Sequence, residues 1–94
     1  MPDPRAVARA AGVAIELADL GDWGAATLVA EYDPAGPLIR LNLRALPAGG
    51  AAALRAHVDA ALAHELYHHG EATGAIARLP TPAARESAAA EHRP

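Results

Sequence analysis

A four-residue apolar repeat runs through the longest helix-compatible segment of the chain, residues 51–70, which contains neither proline nor interior glycine. The repeat consists of Leu54, Val58, Leu62 and Leu66. Positions four residues apart lie on one face of a helix, and alanine, the strongest helix former, fills much of the rest of the segment. The pattern therefore predicts a long amphipathic helix that packs its leucines on a sheet.

The chain before this helix contains three segments with strand-like patterns. Residues 13–20 alternate apolar and polar positions, residues 25–32 return after a turn, and residues 38–43 alternate again after a second turn. The two turns, at residues 21–24 and 33–37, are rich in glycine, proline and aspartate. We expect a three-stranded, mainly antiparallel sheet in which successive strands pair as a meander.

Capping residues predict a helix near each end of the chain. Residues 3–11 carry an N-cap aspartate and a proline at the first helical position, and Gly12 can end this helix. We expect residues 71–79 to form a loop, after which Thr81 caps and Pro82 begins a last, partial helix. The order of helix, strands, long helix and partial helix predicts an α+β fold.

Composition narrows the classes of partner and of metal site. The 94 residues suffice for a single domain, 1–94, and a net charge of −3 leaves no basic patch for direct contact with nucleic acid or an anionic membrane. With no cysteine, any metal must be held by histidine and carboxylate ligands. The chain lacks both a long apolar run and the apolar core of a signal peptide, so a cytoplasmic location is expected.

His64, Glu65 and His68 form an H-E-x-x-H motif near the end of the predicted long helix. Residues four apart stack on one helical face, so the two imidazoles can bind one metal ion while Glu65 lies beside it. Neutral imidazoles suit zinc, and the carboxylate can accept a proton from a water molecule whose pKa the ion lowers. The motif predicts a zinc hydrolase site; the alternative is solvated histidines on an alanine-rich surface helix.

Three other residues of the same helix have less specific interpretations. His69 points about 100° away from His68. This direction favours a surface position, or a contact with a metal-binding side chain, over binding of the metal by His69 itself. His57 lies about 10 Å along the helix axis from His64, too far to share one ion. Tyr67 is expected on the outer face of the helix, exposed to solvent.

Glu71 follows His68 by three residues and could bind the metal only if the helix continued past Gly70. Glycine favours helix termination, so we expect the helix to end at Gly70 and Glu71 to lie in the following loop. Trp23 and Tyr32 flank the first predicted hairpin, where they would either fill the rim of the core or line a substrate cleft.

The order of elements and motifs resembles the ImmA/IrrE-type zinc metallopeptidase domain over residues 3–93. The matching features are a strand ending in Ile39-Arg40-Leu41-Asn42 and a helix bearing Ala63-His64-Glu65-Leu66-Tyr67-His68-His69, with looser matches at Gly24-Ala25 and Tyr32-Asp33. The resemblance implies a minimal zincin-like domain that hydrolyses peptide bonds in a protein or peptide, with a regulatory protein as the substrate. Arg40 and Asn42 lie on the third predicted strand of this chain. By analogy with zincins, this strand is expected to run beside the active-site helix, but neither residue is assigned to the site.

The resemblance also implies roles for particular residues. His64 and His68 would bind Zn²⁺, Glu65 would be the catalytic general base, and a glutamate on the last helix would be the third ligand. The number of residues from His68 to Glu91 is closer to the spacing expected in the family, whereas Glu86 fits the local E-x-x-A pattern. Glu91 is therefore the preferred third ligand and Glu86 the alternative.

Domains of this family continue into an apolar helical segment after the third ligand, and the chain ends at Pro94 without one, which predicts a truncated domain. Two other functions therefore stay open beside the peptidase. One is a related minimal zincin, in which the motif reads H-E-x-x-H-H before a glycine-containing turn, as in His68-His69-Gly70. The other is a catalytically impaired zincin remnant that acts as a protein-interaction module.

Overall fold

Helices and strands follow one another in the predicted order within residues 3–92, the part of the chain that the computed structural model describes. The helices are α1 (Pro4–Ala10), α2 (Ala51–Thr73) and α3 (Pro82–Glu91). The strands β1 (Ala14–Ala18), β2 (Ala30–Asp33) and β3 (Leu38–Asn42) form one sheet, with short 3-10 turns at Gly24–Ala26 and Leu43–Ala45. The α+β prediction is therefore confirmed.

The two ends of the predicted domain lie outside the described residues: residues 1–2 at the start, and residues 93–94, which include Pro94, at the end. None of the helices within residues 3–92 combines the length and the apolar character that a membrane-spanning segment requires.

The sheet is mixed, with β3 in the centre between β1 and β2. β3 runs antiparallel to β2, as predicted, but parallel to β1, so the predicted meander is wrong. The reason lies in residues 19–29, which form an irregular connection where a longer second strand was expected. Gly21 and Gly24 adopt positive φ there, and the side chains of Asp22 and Thr27 accept hydrogen bonds from nearby backbone N–H groups. These local contacts replace a hairpin and leave β1 free to pair with β3.

α2 continues past Gly70 to Thr73, so the predicted helix end at Gly70 is wrong and the following loop begins later. Gly74 ends the helix instead, with a left-handed φ of 83° and its N–H donated to the carbonyl oxygen of Glu71. Gly70 has a packing role, because Ile76 folds back onto it and a Cβ at position 70 would collide with the Ile76 side chain. The additional turn places Glu71 on the motif helix.

The leucine face of α2 packs on the sheet mainly near the motif. Leu62 is fully buried and Leu66 is 5% exposed, and both belong to one core cluster with Ile39 and Leu41 of β3. Leu54, at the start of the repeat, is 40% exposed, so the predicted apolar face is buried only in its C-terminal part. Full burial of a leucine side chain contributes about 2 kcal/mol, so these two leucines hold the motif-bearing end of α2 on the sheet.

α3 packs against the side of α2 that was expected to face solvent. Thr81 caps α3 and Pro82 begins it, as predicted. Tyr67, predicted to be exposed, is instead buried at 6% exposure, with its ring in edge contact with the rings of His68 and His92. The prediction for Tyr67 is wrong because helical periodicity describes one helix and says nothing of a second helix that covers it.

Arg40 joins carboxylates of both neighbouring strands on the sheet face opposite the core residues of β3. Its guanidinium donates hydrogen bonds to Glu16, Glu31 and Asp33 at N···O distances of 3.3, 3.2 and 3.1 Å. The backbone N–H of Ala35 and the Arg40 guanidinium hold the pKa of the Asp33 carboxyl below its usual value. Asp33 in turn raises the pKa of Arg40.

We expect this cluster to make folding stability fall in acid. Because the folded-state pKa of Asp33 is lowered, its stabilisation is complete above the unfolded-state value of about 3.9 and is lost as the pH falls through the folded-state pKa. Asp33→Asn should therefore flatten the decline of Tm below about pH 4. Glu91→Gln, at the exposed end of α3, is the control and should keep the wild-type profile. A D33N profile that matches the wild type would contradict the prediction.

Candidate metal centre

Successive turns of α2 present His64 and His68 on the same side, with their ring centroids 5.3 Å apart. Both Nε2 atoms approach the carboxylate of Glu86 on α3. His64 Nε2 lies 3.0 Å from Glu86 Oε2, and His68 Nε2 lies 3.1 Å from Glu86 Oε1. One donor atom from each of the three residues lies within 4.8 Å of the other two. The structure therefore brings both predicted histidine ligands together with one of the two predicted glutamates.

Glu86, and not Glu91, is the carboxylate beside the histidines. Five residues of helix rotate the chain by about 140°, so the two glutamates of α3 cannot both face α2. Glu91 is exposed at the end of α3 and does not belong to the group. The preference for Glu91 therefore has no support in this geometry, because the connection of residues 74–81 brings the second turn of α3 to the motif.

The donor set fits zinc. A tetrahedral zinc ion with nitrogen and oxygen ligands at about 2.0–2.1 Å places its ligand atoms about 3.3 Å apart. Each histidine Nε2 lies near that separation from one carboxylate oxygen of Glu86, His64 at 3.0 Å from Oε2 and His68 at 3.1 Å from Oε1, and one donor atom from each residue lies within 4.8 Å of the other two. Two imidazoles and one carboxylate leave a fourth position for water, as in catalytic zinc sites. The side chains of His64 and Glu86 are 31% and 61% exposed, so solvent and substrate can reach this position.

Glu65 is buried, with 7% of its surface exposed, yet it contributes to the same cleft as the two histidines. Burial raises the pKa of its carboxyl above the usual value, and the neighbouring His64 and His68 oppose that shift. A carboxylate whose pKa is raised is a stronger base than an ordinary glutamate and accepts a proton more readily. The position and environment of Glu65 suit the predicted role of general base.

A cleft of about 800 Å³ opens in front of the motif. One wall consists of β2 and residues 27–29, which precede it, and the other wall consists of α2 and α3. β2, an edge strand, therefore lines the cleft, whereas the central strand β3 was expected beside the active-site helix. Edge strands carry backbone N–H and C=O groups that can pair with an extended peptide. Leu28 and Val29 add exposed apolar side chains to this wall.

Asn42 at the end of β3 is fully buried and holds the cleft wall in place. Its Oδ1 accepts hydrogen bonds from the backbone N–H groups of Leu20 and Arg44, both at 3.0 Å. Its Nδ2 donates to the carbonyl oxygens of Gly21, at 3.0 Å, and Leu28, at 2.7 Å. Asn42 was not predicted to have a role in the site, although its position at the end of an apolar strand is the signal that could have indicated a buried amide.

Tyr32 and His69 meet between β2 and α2. The Tyr32 hydroxyl and His69 Nδ1 form a hydrogen bond of 2.7 Å. Tyr32 packs against the core and also lines the cleft, so both interpretations offered for it describe part of its environment. Burial raises the pKa of the Tyr32 hydroxyl, with a smaller contribution from Asp33. Trp23, in contrast, is 69% exposed and does not line the cleft.

Comparisons with family models, curated proteins and solved structures give no match to this chain. The resemblance to ImmA/IrrE-type domains therefore rests on the motifs quoted above and stays a prediction. The site can nevertheless be described by the side chains that form it. It is an H-E-x-x-H helix joined by a carboxylate from the next helix, at the side of an open cleft.

Proposed function

We propose that this protein is a zinc-dependent metallopeptidase that hydrolyses peptide bonds in an extended segment of a protein or peptide. The observation that carries the proposal is the convergence of His64, His68 and Glu86, whose ligand atoms lie within 4.8 Å of one another. Glu65 lies next to this group in the chain and lines the same cleft. Solvated histidines on a surface helix would not require a third ligand or a buried carboxylate.

The mechanism follows from these positions. Zinc bound at such a site lowers the pKa of a water molecule and polarises the carbonyl group of a scissile peptide bond. His64, His68 and Glu86 would hold the ion and leave one side open to the cleft. Glu65 would accept the proton of the attacking water, a step that its raised pKa favours, and would then return the proton to the leaving nitrogen.

The shape of the cleft supports an extended substrate. β2 would pair with the substrate backbone and orient it along the cleft, while the apolar side chains of Leu28 and Val29 would contact substrate side chains. The family resemblance adds a regulatory protein as the substrate. The cytoplasmic location expected from the sequence is kept as part of this proposal. The related minimal zincin fits less well, because Gly70 lies inside α2 and does not form a turn after the motif.

Metal content is the direct test. The purified chain should contain about one zinc ion per molecule by elemental analysis, since two histidines and one carboxylate complete a catalytic zinc site. His64→Ala should lose the ion because it removes one of the two imidazole ligands.

The two glutamates of α3 provide a matched pair for the third ligand. Glu86→Gln should lower zinc content sharply, whereas Glu91→Gln should leave it unchanged, since Glu91 is outside the group. The opposite result would restore Glu91 as the third ligand. A wild-type chain that binds no zinc at saturating concentrations would contradict the proposal and favour the interaction module.

A further inference from the structure

We infer that Glu71 is a positioning residue that sets the orientation of the His68 ring through its second nitrogen, an inference that rests on the proposed zinc site. Glu71 Oε1 lies 2.9 Å from His68 Nδ1. A carboxylate can only accept a hydrogen bond, and a histidine that binds zinc through Nε2 carries its proton on Nδ1, where it would donate to Glu71. The lone pair of the ring then lies on Nε2, which faces Glu86 and His64.

The position of Glu71 excludes it as a metal ligand. The two ring nitrogens of His68 point to different sides, and each has one carboxylate: Glu71 at Nδ1 and Glu86 at Nε2. An ion bound at His68 Nε2 would lie with Glu86 and His64, away from Glu71. Ligating histidines commonly donate their other ring N–H to a carboxylate in this way, which sets the tautomer and the orientation of the ring.

The burial of Glu71 gives an independent reason to assign it a role. Its side chain is 9% exposed, and Oε2 is buried without a hydrogen-bond partner among the described residues. A cation lies close to it, because the Nε of Arg85 is 3.9 Å from Oε2. A buried carboxylate is costly unless it is hydrogen-bonded and its charge is compensated, and in this geometry the N–H of His68 Nδ1 and the nearby guanidinium of Arg85 provide that compensation.

α3 reaches both sides of His68 through consecutive residues. Glu86 contacts the Nε2 side, and Arg85 lies near Glu71 on the Nδ1 side. Arg85 is itself held by a hydrogen bond of 3.2 Å from Nη1 to the carbonyl oxygen of Leu79, in the connection that precedes α3. The extension of α2 beyond Gly70 is what brings Glu71 into this arrangement.

The test compares the zinc dissociation constants of the wild type, Glu71→Ala and Glu71→Gln, with zinc itself as the probe and a chromogenic chelator as the competitor. Removal of such an outer partner typically weakens metal affinity about 10- to 100-fold, and we expect that loss for E71A. E71Q should lose less than about tenfold, because its amide oxygen still accepts the hydrogen bond. Glu91→Gln is the control for the loss of one negative charge.

Nuclear magnetic resonance of the zinc-loaded chain separates positioning from simple structural support. The His68 Nδ1–H resonance should be protected in the wild type and in E71Q and should broaden through exchange with water in E71A. If E71A failed to fold, E71Q would decide the question: the weaker acceptor should shift the His68 Nδ1–H resonance and lower zinc affinity measurably, and an E71Q chain identical to the wild type in both would overturn the inference.

Two further results would overturn the inference: an E71A variant that binds zinc as tightly as the wild type, and loss of one zinc ligand in the X-ray absorption spectrum of E71A. Both presuppose a wild type that binds zinc. A wild type that binds none would overturn the proposed function itself, so the two failures are distinguishable.

Discussion

Glu65→Gln is expected to lower peptide hydrolysis by at least about a hundredfold while zinc remains bound, because a positioned general base contributes about 10²- to 10⁴-fold to such reactions. The amide cannot accept the proton of the attacking water, but both imidazoles and Glu86 are left in place. The measurement is the initial rate on a mixture of quenched fluorescent peptides of extended conformation, together with zinc content for each sample.

Two comparisons make this result specific. Glu91→Gln, which removes a carboxylate of α3 outside the metal group, should keep the wild-type rate. The metal-free E65Q chain should be somewhat more stable than the metal-free wild type at neutral pH, since the amide removes the cost of burying a carboxylate. Hydrolysis by zinc-loaded E65Q at the wild-type rate would exclude Glu65 as the base.

Asn42→Ala is expected to destabilise the fold by about 4 kcal/mol, because it removes a fully buried side chain that makes four hydrogen bonds. Each bond contributes about 1 kcal/mol, and the backbone groups that lose their partner lie in a part-buried environment. Urea denaturation followed by circular dichroism measures the change in the free energy of unfolding. The same substitution should raise KM, because Leu28 lies on the cleft wall that Asn42 supports.

Thr27→Ala provides the control for this prediction. Thr27 lies in the same irregular connection, but its hydroxyl makes two exposed hydrogen bonds, with the backbone N–H of Trp23 and with the side chain of Asp22. Its removal should cost about 1 kcal/mol. If N42A were no more destabilised than T27A, the buried amide would not be the main support of this wall.

The features of the fold that follow from local chemistry could be predicted from the sequence. The cap at Thr81, the start of α3 at Pro82 and the length of the apolar segment in α2 each depend on a few neighbouring residues. The pairing of β1 with β3 could not be predicted in the same way. It depends on contacts of Asn42 with residues about twenty positions away in the chain, which no local period reveals.

The same distinction applies to the site. His64, Glu65 and His68 occupy one turn of one helix, so their spacing alone predicted that they would lie together. The third carboxylate depends on where α2 ends and how α3 returns, and those two features are set by Gly74 and by the packing of Ile76 on the helix. An error of one turn at the end of α2 was enough to conceal the environment of Glu71. The preference for Glu91 came from the chain spacing of the family, which does not take into account how α3 packs on α2.

The ligands of the proposed site also differ in how firmly the fold holds them. Both histidines belong to α2, which Leu62 and Leu66 fix in the core, whereas Glu86 belongs to α3, where Ala89 is the one buried residue among those described. An alanine contributes little apolar burial, so the attachment of α3 depends on the cover that it gives to Tyr67 and on its polar contacts with α2. Apparent metal affinity equals the intrinsic affinity scaled by the fraction of molecules in the competent arrangement. Any contact that strengthens or weakens the packing of α3 on α2 would therefore raise or lower the apparent metal affinity, although the three ligands stay the same.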